Sequence, residues 1–299
     1  MYYSYDIPLT VRGWENIQTI TAQARMWQAG KKHLSPMLLL SIECHSDPDT
    51  GFVTFRCNTN TRALNSPVNR VAALLLGDIW NELPKMLGLR GLVIGACGYV
   101  VTNAQHEAML RTLVAENRFN FVLSFLTTGL VVQTAGALLL AFLRKVYMQK
   151  VSVEAAALES FLHDRVFMLT VGLHLTWADN GGQLQQYAYS QGTASRAWGI
   201  DFVCPNPSCP GSTADVRPRI HKRASKVSPT FKFRCQSCKK VSVDYVKMPD
   251  WVSVVDESRL VFRYPMLVNG APASCYLIGK VDMVDWAPGA KVADALDVD

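Results

Sequence analysis

The chain has 299 residues, of which 49% are hydrophobic and 18% charged, with a net charge of +6. This balance excludes an intrinsically disordered chain and allows one large globular domain or two ordinary ones. Four of the eight cysteines form two close pairs, a pattern that favours a reducing compartment over a secreted disulfide scaffold. The first residues have neither the basic start nor the apolar core of a signal peptide, so we expect an intracellular protein, cytoplasmic or nuclear.

The amino-terminal part of the chain leads to a predicted strand that ends at a histidine. Pro36 to His45 is a nearly continuous apolar run, which predicts a buried strand. Asp47 and Asp49 follow it; they can orient the imidazole or serve only a turn, and we favour the turn. The flanking elements predicted are an irregular arm over 1–13, a helix over 14–32, a hairpin strand over 52–57, and a helix over 68–83 capped by 65–67.

A second apolar run, Arg90 to Gly98, ends at a cysteine. Ligands of open α/β sheets meet the protein at the carboxyl ends of the strands, where both His45 and Cys97 would then stand. If the two strands are neighbours, the histidine can draw the thiol towards thiolate and later protonate a leaving amine. The alternative for Cys97 is that it is simply a small core residue.

Beyond Cys97 the pattern predicts a helix, a third strand and three more helices. The stretch from Phe119 to Leu143 has no charged residue and is long enough to cross a bilayer. Polar side chains interrupt it and Gly129 divides it, so we predict a buried strand, a loop and a helix, and no membrane span. The ranges are 103–116 for the first helix, 119–125 for the strand, and 132–147, 151–158 and 160–177 for the later helices.

These elements, in this order, resemble the caspase-like cysteine peptidases of clan CD, and above all their CHAT branch. In that branch one strand carries the histidine, the next carries the cysteine, and a third apolar strand and a long helix follow. The similarity covers roughly residues 35–165 and implies a caspase-like three-layer α/β/α domain with a mostly parallel sheet. It also implies a catalytic dyad of His45 and Cys97 acting on a polypeptide, with the amides of Ser46 and Cys97 binding the oxyanion.

Three departures from the family pattern qualify this resemblance. Ser46 follows the histidine where the family usually has glycine, and its Cβ restricts the backbone angles open to that amide. Gly95 stands where relatives often have the glutamine or aspartate that lines the specificity pocket, so the sequence indicates no cleavage preference. Only 35 residues precede the histidine strand, so we expect the first strand and helix of a full domain to be shortened or missing.

A rival alignment makes a different cysteine the nucleophile. Residues 43–47 also resemble the Asp-x-Cys-His-Ser-Gly motif around the metacaspase nucleophile, which would make Cys44 the reactive thiol. That alignment needs a histidine about 50 residues earlier, and the sequence has none there.

The second half of the chain contains the two close cysteine pairs, Cys204 with Cys209 and Cys235 with Cys238. Two such knuckles with 25 residues between them are typical of a zinc ribbon, in which four thiolates hold a structural Zn²⁺. We therefore predict an α/β domain over 1–182, a polar linker over 183–199 and a β-rich zinc-ribbon domain over 200–299. Further strands are predicted over 251–268 and 276–286, and a loose acidic tail follows from 287.

The segment between the knuckles is strongly basic. Residues 216–240 contain nine lysines and arginines and no acidic residue. Such a segment can neutralise nucleic-acid phosphates while aromatic rings stack on bases, or it can be the solvated outer face of a hairpin. The residues that would carry nucleic-acid binding are Arg217, Lys222, Arg223, Lys226, Phe231 and Phe233.

The sequence therefore leads to one principal hypothesis and two alternatives. The principal hypothesis is a cysteine endopeptidase of caspase-like fold with a structural zinc ribbon. The first alternative is a catalytically inactive scaffold of the same two modules that binds a protein partner. The second alternative is a nucleic-acid-binding protein whose function lies in the basic segment.

Overall fold

The computed structural model of the chain describes residues 37–47, 49–56, 63–126, 132–179, 181–204, 209, 216–223, 229–239, 241–242, 246–268, 271–272, 275–277 and 286–287. The arm over 1–13, the predicted helix over 14–32 and Lys226 lie outside these residues, as does the acidic tail after 287. The predictions made for them stay predictions.

Short strands and helices alternate in the first half, and strands dominate the second. The strands are β1 (Leu38–Glu43), β2 (His45–Ser46), β3 (Val53–Arg56), β4 (Ala63–Ser66), β5 (Arg90–Gly95), β6 (Phe121–Phe125), β7 (Leu173–Ala178), β8 (Leu184–Gln191), β9 (Asp201–Val203), β10 (Val216–Arg223), β11 (Pro229–Cys235), β12 (Val241–Ser242), β13 (Ser253–Asp256), β14 (Val261–Pro265), β15 (Leu267–Val268), β16 (Ala271–Pro272), β17 (Cys275–Leu277) and β18 (Trp286–Ala287). The helices are α1 (Val68–Leu76), α2 (Ile79–Glu82), α3 (Tyr99–Thr102), α4 (Ala104–Ala115), α5 (Val132–Leu143), α6 (Val153–His163) and α7 (Arg165–Thr170), with 3₁₀ turns at Leu83–Lys85 and Ala197–Gly199 and a π-helical turn at Arg144–Met148.

A mixed sheet of seven strands is the largest element of the fold, so the α/β class is confirmed. Its order is β1-β5-β6-β7-β8-β14-β13. The pairs β1–β5 and β5–β6 are parallel, whereas β8–β14 and β14–β13 are antiparallel. Smaller sheets are β2-β3-β4, β10-β11-β12-β18, β15-β16 and β17-β9.

The chain divides into two compact units, which are residues 1–164 with 174–186, and residues 165–173 with 187–299. The boundary between the units at 186/187 falls within the predicted linker over 183–199, but part of that range is the strand β8, which pairs with β14. Residues 184–187 of this strand are half-buried, and Ala188, Tyr189 and Ser190 are buried.

In the first unit, a buried arginine fixes the start of the cysteine strand. Arg90 is 2% exposed, and its guanidinium donates to the carbonyls of Leu83 and Met86 and to Oδ1 of Asn117. The two carbonyls belong to a 3₁₀ turn and the residue after it, and the Leu83 carbonyl also accepts from the Met86 amide, so the guanidinium ties this turn to the start of β5. All six residues of β5 are buried, as the apolar run predicts.

The predicted elements that follow the cysteine strand are largely confirmed. Helix α4 begins after Asn103, whose side chain accepts from the amides of Gln105 and His106. The charge-free stretch divides into the strand β6 and the helix α5. Among the described residues, no helix is both long and apolar enough to span a bilayer.

Two helix predictions are wrong in part. The helix predicted over 68–83 ends at Leu76, because Gly77 adopts a φ of 55° and the chain restarts as α2. The helix predicted over 160–177 gives way to the strand β7 at Leu173. Residues 173–177 alternate apolar and polar, which is a strand period, yet all five are buried, so the polar residues there need internal partners.

His174 on β7 has such partners. The Gln186 side chain donates to its Nε2 over 3.2 Å, so Nδ1 carries the proton and donates to Oγ of Ser124 over 2.7 Å. Burial lowers the pKa of His174 to about 3. His106 is also buried and structural: its Nε2 accepts from the Val68 amide at the start of α1.

We expect His174 to make the protein sensitive to acid. Because its pKa is lower in the folded than in the unfolded state, His174 stabilises the fold at pH values above the unfolded pKa of about 6.5. This stabilisation is lost as the pH falls towards 3. Between pH 7.5 and pH 5 the loss is about 2 kcal/mol. Urea unfolding at both pH values gives the free energy of unfolding. Its decrease from pH 7.5 to pH 5 should be smaller by this amount in His174→Gln than in the wild type. The exposed His163, replaced in His163→Gln, is the control, and an equal pH dependence in both variants would contradict the assignment.

Candidate active site and candidate metal centre

The parallel pairing of β1 with β5 brings the predicted catalytic residues to one edge of the sheet. Glu43 is in register with Gly95, and the amide of Cys44 donates to the carbonyl of Gly95 over 3.2 Å. His45 follows Cys44 after β1, and Cys97 follows Ala96 after β5. The strands are therefore neighbours, which is the condition that the sequence analysis required.

A side-chain hydrogen bond joins the two chain segments beyond the strands. The hydroxyl of Ser46 donates to the carbonyl of Cys97 over 2.9 Å, and Ser46 is buried. The residue that departs from the family pattern thus ties the histidine segment to the cysteine segment. The sequence analysis missed this role, because a serine at this position gives no signal of a partner 51 residues away.

Both candidate catalytic side chains are accessible. His45 is exposed on β2, opposite Thr54 of β3, and Cys97 is half-buried. Among the hydrogen bonds of the described residues, none joins the imidazole of His45 to the thiol of Cys97. The arrangement holds an imidazole and a thiol on adjacent segments, without a hydrogen bond between them.

The glycine after the cysteine is required by a close approach of two segments. A Cβ at Gly98 would lie 2.4 Å from the carbonyl oxygen of Leu126, which directly follows β6. Any larger residue would force the cysteine segment away from β6. This gives a steric reason for the Cys-Gly sequence that is independent of catalysis.

Asp47 belongs to the turn, as predicted. Its Oδ1 accepts from the amides of Asp49 and Thr50 and from the Thr50 hydroxyl, and its Oδ2 accepts from the Asn65 amide. These hydrogen bonds lower the pKa of Asp47.

The rival nucleophile, Cys44, has the wrong protonation state for that role. Burial raises the pKa of its thiol to about 12, although a backbone hydrogen bond from Thr54 opposes the shift. The thiolate is the reactive form of cysteine, so burial disfavours Cys44 as the nucleophile at neutral pH. The structure therefore disfavours the metacaspase-like alignment.

In the second unit, the four predicted metal ligands come together. The sulfur atoms of Cys204, Cys209, Cys235 and Cys238 all lie within 4.8 Å of one another. Cys204 and Cys238 are 3.6 Å apart and Cys209 and Cys235 are 3.5 Å apart, which is too long for a disulfide of about 2.05 Å. A tetrahedral metal with bonds of about 2.3 Å to each sulfur separates its ligands by about 3.8 Å. The cluster can therefore bind a metal ion.

The first cysteine of each pair lies two positions after a phenylalanine. Phe202 precedes Cys204 and Phe233 precedes Cys235, and the two rings lie 4.3 Å apart. Side chains two positions apart in an extended segment lie on the same face. Each phenylalanine ring is therefore on the same face as the cysteine thiol that follows it. The repeated Phe-x-Cys pattern is visible in the sequence, and the sequence analysis missed it.

The prediction that Phe231 and Phe233 stack on bases is wrong. Phe231 is 6% exposed and Phe233 is fully buried. Trp198 packs edge-on against Phe231 at 4.9 Å, so these rings form the core beneath the cysteines and present no face to a base. Of the predicted basic residues, Arg217 is exposed, and Lys222 and Arg223 lie in β10.

Comparison of the chain with models of protein families, with curated proteins and with solved structures finds no match. Arguments about function therefore depend on the geometry of the chain itself.

The contrast between the two cysteines of the first unit can be measured by alkylation. At pH 7.5, iodoacetamide should modify Cys97 well before Cys44, because the raised pKa of Cys44 leaves almost no thiolate there. Peptide mapping by mass spectrometry over a time course gives both rates. Raising the pH to 9.5 should leave Cys44 the slower of the two. Modification of Cys44 as fast as Cys97 at pH 7.5 would contradict the burial argument.

Proposed function

We propose that the chain is a cysteine peptidase of caspase-like fold, in which Cys97 is the nucleophile and His45 the general base and acid. The observation that supports the proposal is the parallel register of β1 with β5, which ends at Glu43 and Gly95, two residues before His45 and Cys97. Both side chains are accessible to a polypeptide, and the competing thiol of Cys44 is held protonated.

The order of the elements supports the same proposal. A histidine strand, a cysteine strand, a third buried strand and a long helix follow each other as β1, β5, β6 and α5. These three strands are adjacent in the sheet. The caspase-like peptidases that the sequence resembles have this order along the chain.

The reaction follows the general scheme of cysteine peptidases. His45 takes the proton of Cys97, and the thiolate forms a bond to the carbonyl carbon of the scissile peptide. The amides of Ser46 and Cys97 stabilise the oxyanion that develops. His45 then gives its proton to the leaving amine, and a thioester remains on Cys97. Water, deprotonated by His45, cleaves the thioester and restores the thiol.

The Ser46 hydroxyl is a positioning group in this scheme. Its hydrogen bond to the Cys97 carbonyl sets the distance between the segments that hold the base and the nucleophile. The interaction is largely buried, so its loss should cost about 1 kcal/mol of stability. It should also loosen the alignment on which the proton transfer depends.

The absence of a His45–Cys97 hydrogen bond among the described residues favours a second candidate, a scaffold that keeps the fold but does not cleave peptides. Hydrogen bonds of catalytic groups are often long in unliganded enzymes and tighten with substrate. Reactivity of the thiol therefore separates the two candidates better than unliganded geometry does.

The dyad can be tested with a peptidyl acyloxymethyl ketone. This probe alkylates an active-site thiolate after its own peptide part has bound beside the thiolate. The probe should label Cys97, and labelling should fall at least tenfold in His45→Ala. Ser46→Ala should reduce the labelling rate severalfold, whereas Ser41→Ala, on the exposed side of β1, should not. Labelling that persists unchanged in His45→Ala would eliminate the dyad, and no labelling of Cys97 with a panel of probe sequences would favour the scaffold.

The four-cysteine cluster is proposed to hold a structural Zn²⁺. Four thiolates in a closed tetrahedral set are typical of structural zinc and leave no open position for catalysis. Burial raises the pKa of Cys235, while the backbone amides of Cys238 and Ser237 lower it, so a cation is needed to hold the buried thiols as thiolates. The metal would also stabilise the fold of the segments around the site.

Metal analysis of the purified chain should find one Zn²⁺ per molecule. Cys235→Ser should lose the metal and lower the thermal midpoint of the second unit, because the metal contributes directly to folding. Cys97→Ser, in the other unit, is the matched control and should keep the metal. A wild-type chain without bound zinc, and with a midpoint insensitive to chelator, would exclude a structural zinc site.

A further inference from the structure

The hairpin of β10 and β11 has one apolar face and one basic face. Val216, Pro218, Phe231, Phe233 and Cys235 are buried. Four positions on the other face are basic: Arg217 and Arg219 are exposed, and Lys232 and Arg234 are half-buried. We call these four residues the basic face.

The register of the hairpin sets the cations directly opposite one another. Arg217 pairs with Arg234 and Arg219 pairs with Lys232. Side chains opposite each other begin about 5 Å apart, and like charges in such pairs destabilise a sheet. A hairpin that needed only a solvated outer face would be more stable with neutral or mixed pairs. Two adjacent like-charged pairs therefore point to a ligand of opposite charge.

The row of cations extends along β10. An irregularity in pairing between Ile220 and Lys222 leaves one extra residue in that strand, so Lys222 comes into register with Thr230. Thr230 is two residues from Lys232 and thus on the same face of β11. A fifth basic residue is therefore in register with the residue two before Lys232.

The metal site does not account for this charge. Four thiolates around Zn²⁺ carry about two negative charges, and two cations suffice to balance them. The segment 216–240 has nine cations and no acidic residue. Most of its charge is thus in excess of what the cluster requires.

We propose that the basic face binds the phosphate backbone of nucleic acid. Arginine guanidinium groups match phosphate oxygens in a bidentate geometry, and three of the four residues are arginines. The apolar side of the hairpin is buried core, so it offers no group for insertion into a lipid surface. Because the aromatic rings are buried too, the face reads charge and not bases, and binding is independent of sequence.

The test measures binding of the full chain, loaded with zinc, to fluorescent DNA duplexes of about 20 base pairs between about 50 and 200 mM salt. Up to four phosphate contacts give a slope of log K against log salt of up to about −3.6. The variant Arg217→Gln/Arg219→Gln should reduce the steepness of this slope by about 2 and weaken binding at least tenfold. Two duplexes of unrelated sequence should behave alike.

Two controls make the test specific. Arg70→Gln/Lys85→Gln removes the same charge from exposed positions of the first unit and should leave affinity and slope unchanged. Arg217→Lys/Arg219→Lys keeps the charge and should keep the slope, and metal content shows that each variant is folded. Equal binding by the glutamine variant, an equal loss in the control pair, or binding to phosphatidylserine vesicles without binding to DNA would each overturn the proposal.

Discussion

The parallel pairing of β1 with β5 is the constraint on which the account of the first unit depends. Parallel strands run in the same direction, so their carboxyl ends meet at one edge, and the residues that follow them are neighbours. Here the segments that follow carry His45 and Cys97, each two residues beyond the end of its strand. The pairing is fixed at both ends: Arg90 anchors the start of β5 through buried carbonyls, and the Ser46 hydroxyl ties the two segments beyond the strands. A slip of one residue would break this tie and turn the buried Ile42 to the opposite face.

The second unit depends on strand alternation in a comparable way. On β11, Phe231, Phe233 and Cys235 occupy one face, while Lys232 and Arg234 occupy the other. One strand therefore supplies the aromatic core and a metal ligand on one side, and part of the basic face on the other. Zinc would hold this strand to the segments of Cys204 and Cys209. The basic face would then be presented by a hairpin whose geometry the metal fixes.

Local patterns predicted the elements that carry strong signals. The buried runs of β5 and β6, the helix start at Asn103 and the two cysteine pairs were all visible in the sequence, because each depends on residues close together in the chain. The elements missed depend on partners far away. The strand β7 has a strand alternation over 173–177, but the burial of its polar His174 depends on Ser124 and Gln186 in other segments.

The candidate sites also combine features set by residues close in the sequence with features set by distant partners. Spacing alone predicted that the four cysteines come together, and the apolar runs predicted that the two strands before His45 and Cys97 are adjacent. The role of Ser46 could not be predicted, since it depends on the Cys97 carbonyl in another segment. Phe231 and Phe233 were assigned to an exposed surface because they lie among cations, whereas period-2 alternation in a half-buried hairpin directs them inward.

The most direct measurement is an experimental structure of the chain with a peptide aldehyde bound. The account predicts a covalent bond from the aldehyde carbon to the sulfur of Cys97. A ring nitrogen of His45 should then lie within about 4 Å of that sulfur or of the new hydroxyl. An adduct on any other cysteine, or an imidazole directed away from the bound peptide, would contradict it.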